Sequence, residues 1–583
     1  MAAPTRQFYQ FGPFRLHIPN LLLFRADEPV RLTPKALQTL LVLIRNQGKV
    51  VHKDQLLEEV WQGTFVEEGI LSRNIYDLRK VLGDVVRPNA YIETIPKRGY
   101  RFLPPAELHT EDSGAKSIAV LPFRPIGVEP EDRYLGLGLA DAVITRLSNV
   151  RSLNLRPTSA VSRFADLEYD AVAAGKQLAV SSVLEGVLRK SGGQVRLTLQ
   201  LVAIPGGESL WSTKLDEAAT DVFKLEDSVA EQVSAALMLK VTAGERRLLK
   251  RRYSEVPEAY HSYLKARSCL RGPSREQLQS AIALYRRAIQ KDPQFALPYA
   301  GLAVCYVLLA IFGSTRPDEV MPKAKEAAVQ ALRLEPTLQE AREALAFVRW
   351  HYEFAWTDAE SELRKLVELF PNDSRTHLRC AMLLAELGRF EEAIAEARQS
   401  VELDPTSPIV QASAGMTLYL ARRYDQAVAP CRRALGLDPN CFRGLWTLGL
   451  IYEQRGKYAA ATQQFQKAAK VSNGSPEALA SLAHAYAVSG RKREAARIME
   501  DLESASKSRY ISAAEMVAGY AGLGDADRAF ECLFRAVEER STYLCVTNVD
   551  PRMDAIRSDP RFRELLGRIG LEPAGGIRAS GRC

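Results

Sequence analysis

Cysteine is missing from the first 268 of the 583 residues, and the eight that follow, Cys269, Cys305, Cys380, Cys431, Cys441, Cys532, Cys545 and Cys583, include no Cys-x-x-Cys pair. That distribution excludes a disulfide framework and suits reduced thiols in an interior compartment. Only seven histidines occur, at His17, His52, His109, His261, His351, His377 and His484, and none stands at ligand spacing from another. No metal site is expected, and none of the usual catalytic signatures is present: no Gly-x-Ser-x-Gly, no His-Glu-x-x-His, no paired metal-binding aspartates. Gly136-Leu-Gly138 is an isolated Gly-x-Gly without a third glycine, which does not make a nucleotide loop. The reading is therefore of a protein that is not an enzyme and needs no cofactor. The N-terminus lacks the basic, apolar and small-residue succession of a signal peptide. One stretch, 296–313, is apolar enough to span a membrane by length, but Pro298, Tyr299 and Tyr306 interrupt it inside a helical repeat, so it reads as a buried repeat helix. A cytoplasmic location and no membrane contact follow.

What is present begins with size and charge. A chain this long exceeds one core and divides into several domains. Residues 1–104 hold 15 Lys and Arg against 10 Asp and Glu, whereas the other 479 residues hold 63 against 60. The excess of positive charge sits at the N-terminal end, where an anionic partner is best served. Residues 8–32 alternate apolar and polar around Pro13, Pro19 and Pro29, as short antiparallel strands do. A helix is predicted from Thr33-Pro34, with Leu37, Leu40, Leu41 and Ile44 on one face and a stop at Gln47-Gly48. A second begins near His52 and a third covers about 68–82. Tyr91–Ile95 and Gly99–Phe102 then alternate like two strands around Pro96-Lys97-Arg98. Strands, three helices and a closing hairpin describe a winged helix.

On the third helix Leu71, Ile75, Leu78 and Leu82 share one side, and Gly69, Arg73, Tyr76, Asp77 and Lys80 lie away from it. A helix anchored on one face and carrying cations and hydrogen-bonding groups on the other can enter a DNA major groove, although a solvated helix has the same pattern. The wider context decides between them. Leu32-Thr33-Pro34, Leu37, Leu40, Leu41, Gly48-Lys-Val-Val51, Leu56, Leu57, Val60, Trp61, Leu78-Arg-Lys-Val-Leu82 and Gly99-Tyr-Arg-Phe102 make the segment resemble the OmpR/PhoB-type winged-helix effector domain along its length. The resemblance implies that Ser72, Arg73, Asn74, Tyr76 and Asp77 face bases, and that Arg79, Lys80, Lys97 and Arg98 face mainly phosphates. Tyr76 and Asp77 depart from the basic residues common in that family, so no target sequence carries over. Asp77 either accepts a hydrogen bond from a cytosine amine or, the favoured reading, pairs with Arg73, four residues before it on the helix. Only seven residues precede Phe8, so no phosphoacceptor receiver is expected ahead of this domain. The order of parts looks like that of the lysine-decarboxylase-operon and invasion-gene activators.

Residues 105–116 are polar and rich in helix breakers and read as a linker. Beyond them, Ile118–Leu121 forms a buried-strand pattern and 134–150 an amphipathic helix. Strand patterns follow at 180–189, 195–203 and 209–215, with a turn at Ser191-Gly192-Gly193, and a helix from about Val222 to Lys240. Ser117–Phe123, Val183–Gly186 and Gly207–Trp211 make this region resemble the TolB N-terminal fold.

From about Pro257 a repeat takes over. Alanines stand at 281, 324, 359, 393, 427, 461, 495 and 529, the last six intervals all 34 or 35 residues, and prolines at 293, 336, 371, 405 and 439 keep their phase. With Leu448-Gly449, Tyr452, Phe465 and Ala468 the unit resembles the tetratricopeptide repeat, which implies about eight stacked helix pairs and a concave groove for a peptide or helix of another protein.

The expected protein is thus multidomain α+β: a winged helix over 1–104, the linker 105–116, an α/β domain over 117–248, an all-α solenoid over 249–570 and a tail over 571–583. Its expected role is a sequence-specific transcription regulator that binds double-stranded promoter DNA, with two copies on a tandem site. The repeat array would either recruit RNA polymerase or another protein through its groove, or take in a signal and hold the protein in an inactive arrangement. The alternative is a repeat scaffold whose winged helix contacts protein.

Overall fold

The computed structural model describes residues 6–573 apart from 18–21, 26–27, 31, 62–67, 85–89, 97, 112–115, 130–131, 149, 151–152, 166–168, 192–193, 219–221, 238–241, 243–253, 271–273 and 313–314. The chain divides into two compact units, residues 1–115 and residues 116–583.

The first unit opens with β1 (Arg6–Phe11), β2 (Phe14–His17), β3 (Leu22–Arg25) and β4 (Glu28–Val30), an antiparallel meander. Phe11, Phe14, Leu16 and Leu23 alternate inward and pack on the helices. Pro29 falls on the edge strand β4, where its missing N–H leaves no gap in the ladder. The helices are α1 (Pro34–Arg45), α2 (Lys53–Trp61) and α3 (Glu68–Leu82), with β5 (Val50–His52) between the first two. Thr33 caps α1, its hydroxyl accepting from the Ala36 amide, with Pro34 in the first turn where its lost donor costs nothing. The wing is β6 (Ile92–Ile95) and β7 (Gly99–Phe102), and β7 also pairs with β5. Gly99 is glycine for a steric reason: a Cβ there would stand 1.9 Å from the Val51 carbonyl oxygen.

One part of the presumed linker is structured. Glu107–Glu111 forms β8, which pairs antiparallel with β1 and makes the sheet five-stranded, in the order β4-β3-β2-β1-β8. The approach is pinned by Gln47, whose side-chain oxygen accepts the Ala106 amide at 2.7 Å. Breaker-rich composition gave no sign of this strand, because β8 is specified by the open edge of β1 rather than by its own pattern.

The second unit starts with a sheet ordered β11-β9-β12-β13-β14: β9 (Lys116–Val120), β11 (Leu153–Leu155), β12 (Ser182–Ser191), β13 (Gln194–Ala203) and β14 (Ser209–Ala218), with β10 (Arg124–Pro125) beside β12. Pairing is parallel at β11-β9-β12 and antiparallel across β12-β13-β14. Gly192-Gly193 of the expected turn lie outside the described residues. The helices are α4 (Tyr134–Leu147), the short α5 (Thr158–Val161), α6 (Ala171–Gln177) and α7 (Val222–Ala236). Gly136 and Gly138 lie inside α4 and serve packing: a Cβ on Gly136 would meet the Phe123 oxygen at 2.2 Å, and one on Gly138 the Leu264 Cβ at 3.3 Å.

The helical array follows as eight pairs among the described residues. These are α8 (Pro257–Ser268) with α9 (Arg275–Lys291), α10 (Ala296–Ile311) with α11 (Pro317–Leu334), α12 (Gln339–His351) with α13 (Trp356–Leu369) and α14 (Ser374–Glu386) with α15 (Phe390–Leu403). They continue as α16 (Pro408–Leu420) with α17 (Tyr424–Leu437), α18 (Phe442–Gln454) with α19 (Tyr458–Val471), α20 (Pro476–Val488) with α21 (Lys492–Ser506) and α22 (Ala513–Leu523) with α23 (Ala526–Glu538). Each of the eight periodic alanines lies on the second helix of its pair, and all are fully buried. A methyl group is what the helix crossings admit, since any larger side chain would push the helices apart. The apolar stretch 296–313 supplies α10, a buried repeat helix; among the described residues no helix is long and apolar enough to cross a membrane.

The α/β sheet and the array share one core. At their junction Arg267 of α8 donates to both oxygens of Asp141 on α4, at 2.6 and 2.9 Å, and to Glu340 at 2.7 and 2.9 Å. Burial alone would raise the Asp141 carboxyl, but the Arg267 charge and hydrogen bonds outweigh it and hold the group ionised.

Candidate nucleic-acid interface

The α3 helix is held on its inner side by Leu71, Ile75, Leu78 and Leu82, all buried. Its outer side shows Ser72, Arg73 and Lys80, with Tyr76 61% exposed and Asp77 half-buried. Ile70, 45% exposed, adds an apolar group to the same end of the helix, unforeseen from periodicity. At the tip of the wing Arg98 is exposed, and Lys97 lies outside the described residues.

Two residues expected on this face are engaged elsewhere. Asn74 is only 7% exposed, turned toward the core with its Nδ2 left without a partner. The helical period explains it, because position 74 falls about 40° from Leu78 and so on the shoulder of the buried stripe. Arg79 reaches across to the wing, donating to the Ile92 carbonyl at 2.8 Å and to the Thr94 hydroxyl at 2.7 Å. It braces β6 against α3 and is not a loose cation for a phosphate. Asp84, just past the helix, completes the clamp by accepting the Tyr91 and Ile92 amides at 2.7 and 2.8 Å. Neither Thr94 nor Asp84 carried a signal in the sequence, since their partners lie in a separate strand. Asp77 and Arg73 form no ion pair among the described residues, contrary to expectation, which leaves the Arg73 guanidinium to point outward. The net effect is a helix and a wing locked in one geometry, presenting Arg73, Tyr76, Lys80 and Arg98.

The groove face of the array is also different from expectation. After α23 the chain turns back as two 3-10 turns, Thr542–Val546 and Pro551–Ala555, and α24 (Pro560–Arg568), and lies along the first helices of several pairs. The Tyr419 hydroxyl of α16 donates to Asp550 at 3.1 Å, Arg422 clasps Asp554 at 2.7 and 2.8 Å, and Arg552 donates to Ser481 of α20 at 3.0 Å while covering the Trp446 ring. Farther along, the Trp356 indole donates to the Ile569 carbonyl at 2.7 Å. Residues 541–572 thus occupy part of the face on which a partner was expected.

Comparison with known proteins finds relatives for each part of the chain. Residues 27–102 match the family of the C-terminal domain of transcriptional regulatory proteins, and residues 114–232 match the second domain of HilA/YgeH-like transcriptional regulators. Residues 352–415 and 413–476 match tetratricopeptide repeats. The chain is a transcription regulator that carries an OmpR/PhoB-type domain. It is 26% identical over 398 residues to the transcriptional regulator HilA of Salmonella typhi, covering 66% of this chain and 68% of that one. It is 29% identical over 201 residues, 34% of either chain, to a putative adenylate cyclase 3 of Rhizobium meliloti. Among solved structures it is similar to the DNA-binding domain of E. coli CadC, at 25% identity and a TM-score of 0.17, covering 18% of this chain and 99% of that domain. By its family matches the regulator joins an N-terminal OmpR/PhoB-type DNA-binding domain to a HilA-like second domain and tetratricopeptide repeats.

Proposed function

We propose that this regulator places α3 in the major groove of promoter DNA, with Ser72, Arg73, Tyr76 and Asp77 toward base edges and Lys80, Lys97 and Arg98 toward phosphates. The observation that carries the reading is the outward set Arg73, Tyr76 and Lys80 on a helix braced to a wing tipped by Arg98. Arginine offers the planar fork that a guanine edge accepts, and the surrounding cations fix register on the backbone. Asn74 and Arg79 serve this site from behind, as a core residue and a brace. Two copies bind side by side on a tandem site in the cytoplasm, and the chain is not an enzyme. The array recruits RNA polymerase or another protein, which gains the groove face over the region of Tyr419, Arg422 and Ser481 only by displacing residues 541–572. Selection of bound duplexes from a random pool by the full chain tests the reading. Enrichment of one motif, lost in Arg73→Ala, is the expected result; no enrichment by the wild-type chain overturns it and leaves a protein-binding winged helix.

A further inference from the structure

Where the C-terminal segment crosses the array, three ligand-type side chains converge from distant parts of the chain. His351 ends α12, Glu386 ends α14 and Cys545 lies in the first 3-10 turn of the returning segment. All three are buried, and one ligand atom from each lies within 4.8 Å of the others. Each is oriented by its surroundings. The Trp350 indole donates to Glu386 Oε2 at 2.8 Å, and the Cys545 sulfur sits 3.8 Å from the Trp350 carbonyl. The His351 ring stacks on Phe347 at 3.9 Å and tilts against Trp350 at 4.1 Å, while its Nδ1 is buried without a hydrogen-bond partner. A buried imidazole nitrogen with no partner is costly, and it points to a ligand shared with the two other donor groups beside it.

We infer that His351, Glu386 and Cys545 bind a zinc ion that clasps the C-terminal segment to the array. The donor set is imidazole nitrogen, carboxylate oxygen and thiolate sulfur, which suits a borderline-soft dication and not magnesium or calcium. On binding, the thiol and the carboxyl each release a proton, so one thiolate and one carboxylate neutralise the two charges of the ion without leaving net charge in the core. Bond lengths of about 2.0–2.3 Å put neighbouring ligand atoms roughly 3–4 Å apart, so the three groups, now within 4.8 Å of one another, draw in by up to about 1–2 Å. Three protein ligands leave a fourth position for water. The contacts to Trp350 and Phe347 are the outer shell that such ligands require. Sequence spacing hides the site, because Cys545 follows Glu386 by more than a hundred residues.

The test uses the full chain. Metal analysis of protein purified without chelator is expected to find zinc at about one ion per chain, by the stoichiometry of one such site. Cobalt substitution is expected to give the intense near-ultraviolet thiolate-to-cobalt charge-transfer band, lost in Cys545→Ser. His351→Gln weakens zinc binding at least tenfold, whereas His377→Gln, a buried histidine of the same array outside the triad, leaves it unchanged. Cobalt binding to the wild-type chain without a thiolate band, zinc retained by Cys545→Ser, or no zinc uptake by a chain that still binds DNA overturns the inference. None of these outcomes bears on the α3 interface, which is read separately by DNA binding.

Discussion

Replacing Lys80 and Arg98 together by alanine should change how DNA binding responds to salt more than it changes the preferred sequence. Both side chains are exposed, one on the outer face of α3 and one at the wing tip, so neither substitution removes a core contact. Each phosphate neutralised releases condensed counterions and contributes about −0.9 to the slope of log K against log salt. The proposed phosphate contacts of Lys80, Lys97 and Arg98 would give a slope of about −2.7 per copy, and a fourfold rise in salt would then weaken binding about fortyfold. With two of them gone the slope falls to about −0.9 and the same rise costs only about three- to fourfold. Fluorescence anisotropy of the full chain on its selected duplex, from about 50 to 200 mM salt, measures both slopes. A circular dichroism spectrum confirms that the double variant is folded. An unchanged slope in the folded variant would refute the assignment of these residues to the DNA backbone.

Four more outcomes follow from packing and charge. Gly99→Ala forces a Cβ onto the Val51 carbonyl, and should lower the stability of the first unit by about 1–3 kcal/mol, seen in thermal unfolding. A fragment ending at residue 104 lacks β8 and the Ala106–Gln47 bond; it should melt roughly 4–8 °C or more below one ending at residue 115, on the basis of at least about 1 kcal/mol lost. Equal melting of the two fragments would show that β8 adds nothing. Arg267→Ala strands the buried Asp141 carboxylate and should cost the second unit about 3–5 kcal/mol, measured by denaturant unfolding of the full chain. Glu515 is pushed up to about 8, first by burial and then by the neighbouring Glu477 charge. Because the folded-state value lies above that of the unfolded chain, its contribution to stability is full below the ordinary carboxylate range and is lost as pH rises through about 8. Glu515→Gln should therefore flatten the fall in melting temperature between about pH 5 and 9, and an unaltered profile would exclude Glu515 as its source.

Most of the architecture was legible from local periodicity. The buried stripe of α3, the alternation of β12 and β13 and the alanine phase of the array all express a side chain's position relative to its own neighbours along one element, which a sequence displays directly. The outward cations Arg73 and Lys80 were legible for the same reason. Asn74 was misjudged although its angle on the helix was available, because a residue on the shoulder of an apolar stripe is classed by what packs beside it.

The remainder depended on partners remote along the chain. Arg79 looks like any surface cation until Ile92 and Thr94 of the wing come within reach, and residues 105–116 look like a linker until the edge of β1 offers Glu107–Glu111 a strand to pair with. Residues 541–572 carry no mark of a groove occupant, and His351, Glu386 and Cys545 carry none of a metal site. Local pattern determines which face of an element is buried, since period and hydrophobicity act within a few residues. What that face meets is decided only when the folded chain brings together groups that are far apart in order, and there the energies of desolvation and pairing select the arrangement.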